Sequence, residues 1–592
     1  MKTKILTLLT TFAISSVSMA QIINVPGDQP TIQAGIDAAT DGDTVLVDTD
    51  TYYENINFNG KAITVASNYI IEGDTNFINN TTIDGSQPVN PDNGSVVTFN
   101  SGEDSTSLIC GFTITGGTGT YISSIDQQYG GGIYCNYAGA KIIHNKIINN
   151  TCEYANQASG GGIGCRFGSS WIVIRNNTVR DNVVSSDNDA LGGGIYSRYN
   201  SQIITNNIIS HDSLSGYNTF GGAVCISFTY YTEMTGNIIT RNKVNHTYVY
   251  WTGVYFYKPI GPVNILQNEF SYHEGDFTGD AAGVLGFYKA NEYPVLVDGN
   301  RFLHNSALVG GAFCEVNSYN LQLTNNVFIG NDAYQGGAIR IYHQENSNEY
   351  RPQIINNTFF DNSANGFGGA ISYYADPGIT GSSPVIINSI FWENSAPPGG
   401  GIDIDNWSSD TIFVYYSDID YYLISGQWLG GFNFLADPEL EEDNIHLLGS
   451  SPCINMGTNT LEINGATYLC PDHDIDGDPR PLYDVADVGA DEYDLPVGIV
   501  SMDITLDGPS IEIFPNPFTV SADIKFNLQS SGQVELSLYD FSGRKVRALI
   551  NNNLQAGFHE VKLNSSDLKS GIYFCVLISD KGIQSKKLIK TE

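Results

Sequence analysis

A cluster of small residues followed by an aliphatic residue recurs about every thirty positions through the middle of this chain. Gly160-Gly161-Gly162-Ile163 is one example, and Gly336-Gly337-Ala338-Ile339 is another. The residue before the aliphatic lies at positions 132, 162, 194, 223, 253, 283, 312, 338, 370 and 401. Ten occurrences at intervals of 26 to 32 residues indicate a repeat protein, in which each unit stacks on its neighbours.

Asparagine recurs at the same interval. It occurs at positions 145, 177, 207, 237, 268, 300, 326, 357 and 388, and a second asparagine often follows five or six residues later. Each unit also holds short β-rich runs separated by Gly, Asn and Asp, too short for helices. We therefore predict one coil of three strands per repeat, with parallel pairing between coils and a right-handed turn. The asparagines are expected to lie in the left-handed conformation at a bend and to form an amide ladder.

Residues 30–39 have apolar positions at helical spacing, and a turn and a strand follow at residues 41–47. We expect this segment to form a short amphipathic helix that covers the open N-terminal end of the stack, since the ends of a repeat array need a cap.

Composition and the N-terminus limit the function classes. The chain has 592 residues and a net charge of −36, so we expect no nucleic-acid partner. Lys2 and Lys4, an apolar run at 5–17 and Ser18-Met19-Ala20 predict a secretory signal peptide over residues 1–20. No later run of about 20 apolar residues predicts a transmembrane segment. We expect an exported monomer.

Two segments carry a resemblance. Residues 25–67, VPGDQPTIQAGIDAATDGDTVLVDTDTYYENINFNGKAITVAS, resemble the opening of pectin-lyase-like right-handed β-helix proteins. The chain from residue 388 to Asp487-Val488-Gly489-Ala490-Asp491-Glu492-Tyr493 resembles a terminal module of such proteins. The resemblance implies a β-helix over residues 21–440 and a C-terminal module over 441–495. It implies little about activity, because β-helices host lyases, hydrolases, esterases, epimerases and adhesins.

The repeat ends before a linker at residues 496–510, and alternating strand patterns follow in residues 511–592, which predict a small antiparallel β-sandwich. Phe514-Pro515-Asn516-Pro517-Phe518, Ser570-Gly571-Ile572-Tyr573 and Lys586-Lys587-Leu588-Ile589-Lys590 resemble the type A sorting domain of the type IX secretion system of Bacteroidota. That resemblance implies that residues 511–592 contact the type IX secretion machinery, and that the protein is secreted or held at the cell surface.

Alternate residues of the strand after each glycine cluster are expected to face solvent. With the aliphatic inward, the outward row includes Tyr134, Asn136, Arg166, Tyr196, Arg198, Tyr255, Tyr257, Phe287, Arg340, Tyr342, Tyr374, Asp403 and Asp405. Aromatic rings stack on sugars and arginine bonds hydroxyls or carboxylates, so Arg166, Tyr196, Arg198, Tyr255, Tyr257, Tyr342 and Tyr374 are candidate polysaccharide ligands. The alternative is that tyrosine favours strands and arginine covers its neighbours. A one-residue slip of register would reverse every face.

The candidates for catalysis are Asp403, Asp405 and Arg340. Asp403 and Asp405, with Asp410, Asp418 and Asp420, could include a glycosidase acid pair, and Arg340 could assist an elimination. Polar loop residues are the alternative interpretation. If the chain is an enzyme, it is a polysaccharide lyase or a glycoside hydrolase.

Asp472, Asp474, Asp476 and Asp478 have the D-x-D-x-D-G spacing of a Ca²⁺ loop, but Tyr483 occupies the position of its final glutamate. A plain Asp-rich turn is the alternative, and Ca²⁺ is the one cofactor that the sequence suggests. Among nine cysteines, Cys453 and Cys470 lie 17 residues apart and form a candidate disulfide.

Two functions remain open from the sequence. The first is an exported β-helix that binds or processes extracellular polysaccharide. The second is a non-enzymatic, adhesin-like or structural surface protein. Convergent acid and base groups in one groove would favour the first, and uniform polar coverage would favour the second.

Overall fold

The computed structural model describes residues 20–168, 170–245, 248–275, 282–290, 293–318, 320–345, 351–398, 401–482, 484–493, 510–516, 518–528, 530–540, 545–564, 568–569, 571–579 and 582–590. The predicted signal peptide, apart from Ala20, lies outside the described residues, and so do positions 496–509 of the predicted linker. The chain divides into two compact units, residues 1–493 and 494–592.

Three long parallel sheets form the walls of the first unit, as the repeat predicts. Sheet A comprises Ile22–Val25, Thr44–Val47, Thr64–Ser67, Leu108–Cys110, Ala140–Ile143, Ile172–Arg175, Ser201–Thr205, Tyr231–Thr235, Val263–Leu266, Val295–Asp298, Leu321–Thr324, Gln353–Ile355, Val385–Ile387, Ile412–Tyr415 and Trp428–Gly431. Sheet B comprises Thr51–Tyr52, Thr82–Asp84, Thr113–Thr115, Lys146–Ile148, Thr178–Arg180, Ile208–Ser210, Ile238–Thr240, Glu269–Ser271, Arg301–Leu303, Val327–Ile329, Thr358–Phe360 and Ile390–Trp392. Sheet C comprises Ile56–Asn57, Val97–Phe99, Ile133–Asn136, Ile163–Arg166, Ile195–Arg198, Val224–Ser227, Val254–Tyr257, Leu285–Tyr288, Phe313–Val316, Ile339–His343, Ile371–Ala375, Ile404–Asn406 and Ile424–Ser425.

Each coil contributes one strand to each sheet, and inward aliphatic and aromatic side chains from all three sheets form one continuous core. Phe270, Phe302, Phe328, Phe359 and Phe391 are stacked in this core, with ring centroids 4.7–4.9 Å apart. The spacing equals the distance between neighbouring strands, so identical positions in successive coils meet face to face. The predicted all-β fold and the parallel β-helix are confirmed.

Three smaller sheets come from the segments between sheets B and C. Sheet D comprises Asn93–Gly94, Gly119–Ile122, Gln127–Tyr129, Gln157–Ser159, Asp189–Leu191, Asn218–Phe220 and Tyr248–Tyr250. Sheet E comprises Thr151–Glu153, Val183–Ser185, Ser213–Ser215 and Lys243–Asn245, and sheet F comprises Ser306–Val309, Asp332–Gln335 and Ser363–Phe367.

The recurrent asparagines form two buried ladders. In the first, each side-chain amide donates to the Oδ1 atom one coil further along, at 2.8–3.2 Å, through Asn145, Asn177, Asn207, Asn237, Asn268, Asn300, Asn326 and Asn357. The second runs through Asn150, Asn182, Asp212, Asn242, His273, Asn305, Asn331, Asn362 and Asn394. The prediction of a ladder is confirmed.

The predicted left-handed conformation of the ladder asparagines is wrong by one residue. Positive φ occurs at the residue before each ladder position, as at Asn176 (56°) before Asn177 and Asn206 (54°) before Asn207. Asn388 is a bend residue and not a ladder residue, because it has a φ of 51° and Ser389 takes the ladder position. The bend residue directs its side chain away from the ladder, whereas the ladder residue directs its amide into the stack.

The glycine clusters allow neighbouring coils to approach closely at the start of sheet C. Gly160 has a φ of 73°, and a Cβ atom there would lie 2.3 Å from the carbonyl oxygen of Ile163. A Cβ atom on Gly161 would lie 2.6 Å from the carbonyl oxygen of Gly193 in the next coil. The first position therefore needs glycine for its backbone conformation, and the second for space.

The N-terminal helix α1, Ile32–Ala38, buries Ile32, Gly35 and Ile36 against the first coil, and its N-cap Thr31 accepts a hydrogen bond from the backbone N–H of Ala34. Two further helices, Tyr69–Glu72 and Asn76–Asn80, and a 3-10 turn, Tyr421–Leu423, complete the helical elements of the described residues. Helix α1 lies where a cap for the open end of the array is expected.

Residues 441–493 pack along the outside of the later coils and include the hairpin Thr460–Ile463 and Ala466–Leu469. This segment binds the bend residues of three coils through their side-chain amides. Asn325 donates to the carbonyl oxygen of His473, Asn356 to that of Asp487 and Asn388 to that of Thr458.

The second unit consists of two antiparallel sheets. One comprises Ser510–Phe514, Ser521–Leu528 and Gly557–Asn564. The other comprises Gly532–Asp540, Lys545–Leu554, Gly571–Ser579 and Gly582–Lys590. Buried side chains of both sheets, among them Ile524, Phe526, Leu538 and Leu577, form one core, so the predicted β-sandwich is confirmed.

Candidate functional site

The outward row of sheet C is covered in the first half of the array. Tyr196 is 1% exposed and Tyr255 is 4% exposed, because sheet D packs against this face and forms a second apolar layer with it. Tyr134 is buried in the same layer, against Tyr129 of sheet D. The prediction that Tyr196 and Tyr255 contact a polysaccharide is therefore wrong.

The arginines of this region lie beside aromatic rings. The guanidinium carbon of Arg166 lies 4.8 Å from the ring centroids of both Tyr129 and Phe167. That of Arg198 lies 5.3 Å from the ring centroids of Tyr199 and Phe228. These cation–π contacts support the interpretation that arginine covers its neighbours.

A column of rings runs along the corner that follows sheet C. Successive centroids of Tyr137, Phe167, Tyr199 and Phe228 are 4.9–5.4 Å apart, with interplanar angles of 10–12°. Tyr257 stacks on Tyr288 at 5.6 Å in the same way. Because each ring covers the face of the next, the column stabilises the stack and offers mainly ring edges to solvent.

The register of the predicted row slips at two coils. The strand Leu285–Tyr288 aligns Leu285 with Val254, so Phe287 faces the core and is wrong as an outward residue. Likewise Ile404 aligns with Ile371, and Asp403 precedes the strand. Asp403 is buried and accepts a hydrogen bond from Asn394 at the end of the second ladder.

The later coils of sheet C lie beyond the described strands of sheet D, and here a cavity of about 300 Å³ opens on the outward face. In adjacent strands Arg340 pairs with Ser372, and Ser372 pairs with Asp405. The three side chains therefore form one column along the floor. The cavity is lined by Gln335, Arg340, Phe367, Ser372, Tyr374, Asp405 and Trp407.

Arg340 is held by its neighbours. Its Nη1 atom donates to Ser372 Oγ at 2.5 Å, and its guanidinium carbon lies 5.5 Å from the ring centroid of Tyr374. Burial lowers the pKa of Arg340, but a guanidinium remains protonated at any physiological pH. The adjacent Tyr342 packs 5.2 Å from Tyr374 and donates to Asp376.

Asp405 is 1% exposed, and its two oxygens have different surroundings. Oδ1 accepts hydrogen bonds from the hydroxyl of Ser425 and from the backbone N–H of Gly401. Oδ2 is buried and has no hydrogen-bond partner among the residues that the structure describes. Burial raises the pKa of Asp405, and the hydrogen bonds and the charge of Arg340 oppose that shift. A buried acceptor without a donor is costly, so Asp405 would gain from a donor that reaches Oδ2 when a ligand enters the cavity.

Trp407 forms the rim of the cavity and is 55% exposed. Its ring centroid lies 4.6 Å from that of Phe367, at an interplanar angle of 55°. A large exposed aromatic beside paired polar groups is characteristic of sugar-binding sites. The sequence contained one signal for it, a tryptophan two residues after the outward Asp405, which the repeat pattern did not single out.

The predicted acid residues lie in several places, and Asp403 and Asp420 are two that share a cavity. Asp403 lines a separate cavity of about 200 Å³ with Trp392 and Asp420, and burial raises the pKa of Asp403 to about 7. Asp410 accepts from the backbone N–H groups of Ser382 and Ser383. Asp418 is buried and accepts from Ala436 N, so the predicted set does not converge on one site.

The predicted Ca²⁺ loop is an Asp-rich turn. Asp474 Oδ1 accepts from the backbone N–H groups of Asp476 and Asp478, and Oδ2 accepts from that of Glu492. Asp472 pairs with His473, and Asp476 turns away toward Arg301. The carboxylates of Asp472, Asp474 and Asp476 therefore do not point at a common centre, and the predicted set of four ligands does not assemble.

Within the described part of the chain, one group of metal-capable side chains does meet, formed by His446, Asp476 and Asp491. His446 donates to Asp476 at 2.6 Å and to Asp443 at 2.5 Å. The hydrogen bond with Asp476, together with that of Asp443, raises the pKa of His446 to about 9. A protonated imidazole has no free lone pair, so this group is an ion-paired cluster.

The predicted disulfide is wrong. Cys453 and Cys470 are free, as are the other seven cysteines. The thiol of Cys453 is buried 3.7 Å from Asp418 Oδ2, and burial raises its pKa.

Two family models match the chain, one in the β-helix and one in the C-terminal sandwich. Residues 161–350 match the family described as the right handed beta helix region, and residues 512–591 match the secretion system C-terminal sorting domain. No curated protein and no solved structure matches the chain. In the described segments no helix has the length and apolar character needed to span a membrane. The chain is thus a right-handed β-helix joined to a type IX secretion sorting domain, and it is secreted or displayed at the cell surface.

Proposed function

We propose that this protein binds extracellular polysaccharide, with its site in the cavity of Arg340, Asp405 and Trp407. The observation that carries the proposal is the buried, unpartnered Oδ2 atom of Asp405 in a cavity with an exposed tryptophan at its rim. A pyranose ring offers hydroxyl donors to the carboxylate of Asp405 and a flat apolar face to the ring of Trp407. Export to the cell surface places the site where such polymers occur.

Residues on the floor and the wall would have distinct roles. Asp405 would accept a sugar hydroxyl, Arg340 would donate to a ring or hydroxyl oxygen, and Trp407 would stack on the ring. Tyr374 positions Arg340 through the cation–π contact. Since the floor runs along the stacking axis, an extended glycan chain would lie across successive coils, about 4.8 Å apart.

Titration calorimetry of the mature protein with a panel of oligosaccharides tests this proposal. Trp407→Ala should weaken binding about tenfold or more, because the stacking face is lost. Trp171→Ala is the matched control, since Trp171 is also exposed on the array but packs edge-on against Tyr231, away from the cavity. Equal affinities of the two variants would contradict the assignment of the site.

Processing of the polysaccharide is a further step that the same cavity could support. Asp405 offers one carboxylate for acid–base chemistry beside the cation Arg340, and glycoside hydrolysis would need a second carboxylate as its partner. Release of reducing ends by the wild type, and its loss in Asp405→Asn, would establish an enzyme.

The second candidate is a non-enzymatic adhesin-like or structural surface protein. The self-stacked column of Tyr137, Phe167, Tyr199 and Phe228 favours it, because these rings reinforce the rod and have few free faces. Retention of surface adhesion by cells that carry Trp407→Ala would support this alternative.

A further inference from the structure

The charges that face the cavity limit the sugars that it can hold. Among the described lining residues, Arg340 is the one cation and Asp405 the one carboxylate, and Gln335 and Ser372 are uncharged. Arg340 and Asp405 lie in one column of sheet C, with Ser372 of the intervening strand between them, and their opposite charges balance. The site is therefore close to electroneutral, although the whole chain carries a net charge of −36.

Arg340 already has a counter-charge in the site. It already donates to Ser372, its guanidinium packs near Tyr374, and the charge of Asp405 acts on it. A carboxylate placed against Arg340 would lie near the buried Oδ2 atom of Asp405, and like charges in a desolvated site repel strongly. A hydroxyl at the same place would instead donate to Oδ2 and satisfy it.

From this balance we infer that the cavity selects an uncharged sugar unit over a uronate, with Asp405 as the residue that determines this specificity. The inference rests on the proposed function and defines its ligand class. The hydroxymethyl or ring hydroxyl group of a neutral hexose donates to Asp405 Oδ2, and the ring stacks on Trp407. A uronate of the same configuration brings a carboxylate in place of the hydroxymethyl group and is rejected.

Matched pairs of oligosaccharides isolate this single difference. Titration calorimetry would compare galactan with galacturonan, glucan with glucuronan and mannan with mannuronan oligomers, in EDTA so that no divalent cation bridges the charges. We expect the wild type to bind one of the neutral members at least about tenfold more tightly than its uronate counterpart. A preference for the uronate would overturn the inference.

Two variants separate charge from shape. Asp405→Asn keeps the volume and removes the negative charge, so the preference for the neutral member should narrow or reverse. Arg340→Gln leaves Asp405 without its counter-charge, so rejection of the uronate should increase. Thermal melts check that both variants fold, and Arg340→Gln serves as the test if Asp405→Asn does not. An unchanged ratio in the folded variants would overturn the inference.

Failure of the inference and failure of the proposed function give different results. If uronates bind best and Trp407→Ala abolishes that binding, the site stands and its specificity is other than inferred. If no oligosaccharide of either charge binds, or if Trp407→Ala binds like the wild type, the proposed site itself is refuted.

Discussion

Asp212 is the one acid in the second asparagine ladder, and we predict that it makes stability depend on pH. Its Oδ1 atom accepts from the backbone N–H and the side-chain amide of Asn182, at 2.8 and 2.9 Å. Its Oδ2 atom is buried and has no partner among the described residues. At equivalent positions Asn182 and Asn242 use their amide nitrogen to bind a carbonyl oxygen of sheet B. By the same pattern, Oδ2 of Asp212 faces the carbonyl oxygen of Val179, which suits a protonated carboxyl that donates.

Burial raises the pKa of Asp212 from 3.8 to about 8. The folded chain therefore binds a proton that the unfolded chain releases, and stability falls as pH rises between these two values. From the unfolded pKa of 3.8 to pH 7 is about 3 pH units, and each unit corresponds to about 1.4 kcal/mol. The ionisation of Asp212 therefore lowers the free energy of unfolding at pH 7 by at most about 4 kcal/mol. Below pH 4 the cost is absent, and above pH 8 it is constant.

Asp212→Asn removes the titrating group and restores the amide donor. We expect this variant and the wild type to have similar free energies of unfolding near pH 4, because the protonated carboxyl of Asp212 and the amide of the variant can donate to the same carbonyl oxygen. The variant should become progressively more stable than the wild type up to pH 8. Urea unfolding followed by far-UV circular dichroism at pH 4, 5, 6, 7 and 8.5 measures the difference.

Other buried carboxyls, such as Asp403, contribute equally to both proteins and cancel in that difference. The matched control is Asp361→Asn, since Asp361 is an exposed acid at the bend before Asn362 of the same ladder. Its difference from the wild type should not change with pH. Parallel stability curves for Asp212→Asn and the wild type between pH 4 and 8 would refute the reasoning.

Three further predictions concern packing, charge and export. Gly286→Ala should destabilise the fold by about 1–3 kcal/mol or more, because its Cβ atom would lie 1.5 Å from Nε1 of Trp251, and a lowered melting temperature checks this. Arg480→Met should cost about 3–5 kcal/mol in urea unfolding, because it leaves Glu492 buried and unpaired. Lys289→Ala, which breaks an exposed ion pair, is its control and should not change stability measurably. Deletion of residues 511–592 should retain the protein inside the outer membrane, and detection of the shortened protein at the cell surface would contradict this.

The fold was largely predictable from the sequence, because its contacts repeat. In a parallel stack each residue meets the residue at the same position one coil away, so a 30-residue interval in glycine and asparagine reports the pairing directly. Asn237, for example, bonds Asn207 and Asn268, its own equivalents in the neighbouring coils. The strand pattern of residues 511–592 and the helical spacing of residues 30–39 are local signals of the same kind.

The exposure of the outward row was not predictable, because it depends on segments that do not follow the repeat. Tyr196 and Arg340 occupy equivalent positions on sheet C, yet Tyr196 is buried under sheet D and Arg340 lines an open cavity. Shifts of one or two residues in the repeat, at Leu285 and Ile404, moved Phe287 to the core and Asp403 to another cavity.

The sequence by itself determined the β-helix, its ladders and the sorting domain, whereas the tertiary structure alone decided where a ligand can bind. The β-helix, its ladders and the sorting domain follow from local backbone geometry and from pairing between equivalent residues. Both can be recognised from the spacing of residues along the chain. The cavity of Arg340, Asp405 and Trp407 arises where sheet D ends and the strand Ser363–Phe367 of sheet F supplies a wall. Its polar and aromatic groups come from five different segments, and only the folded chain brings them together.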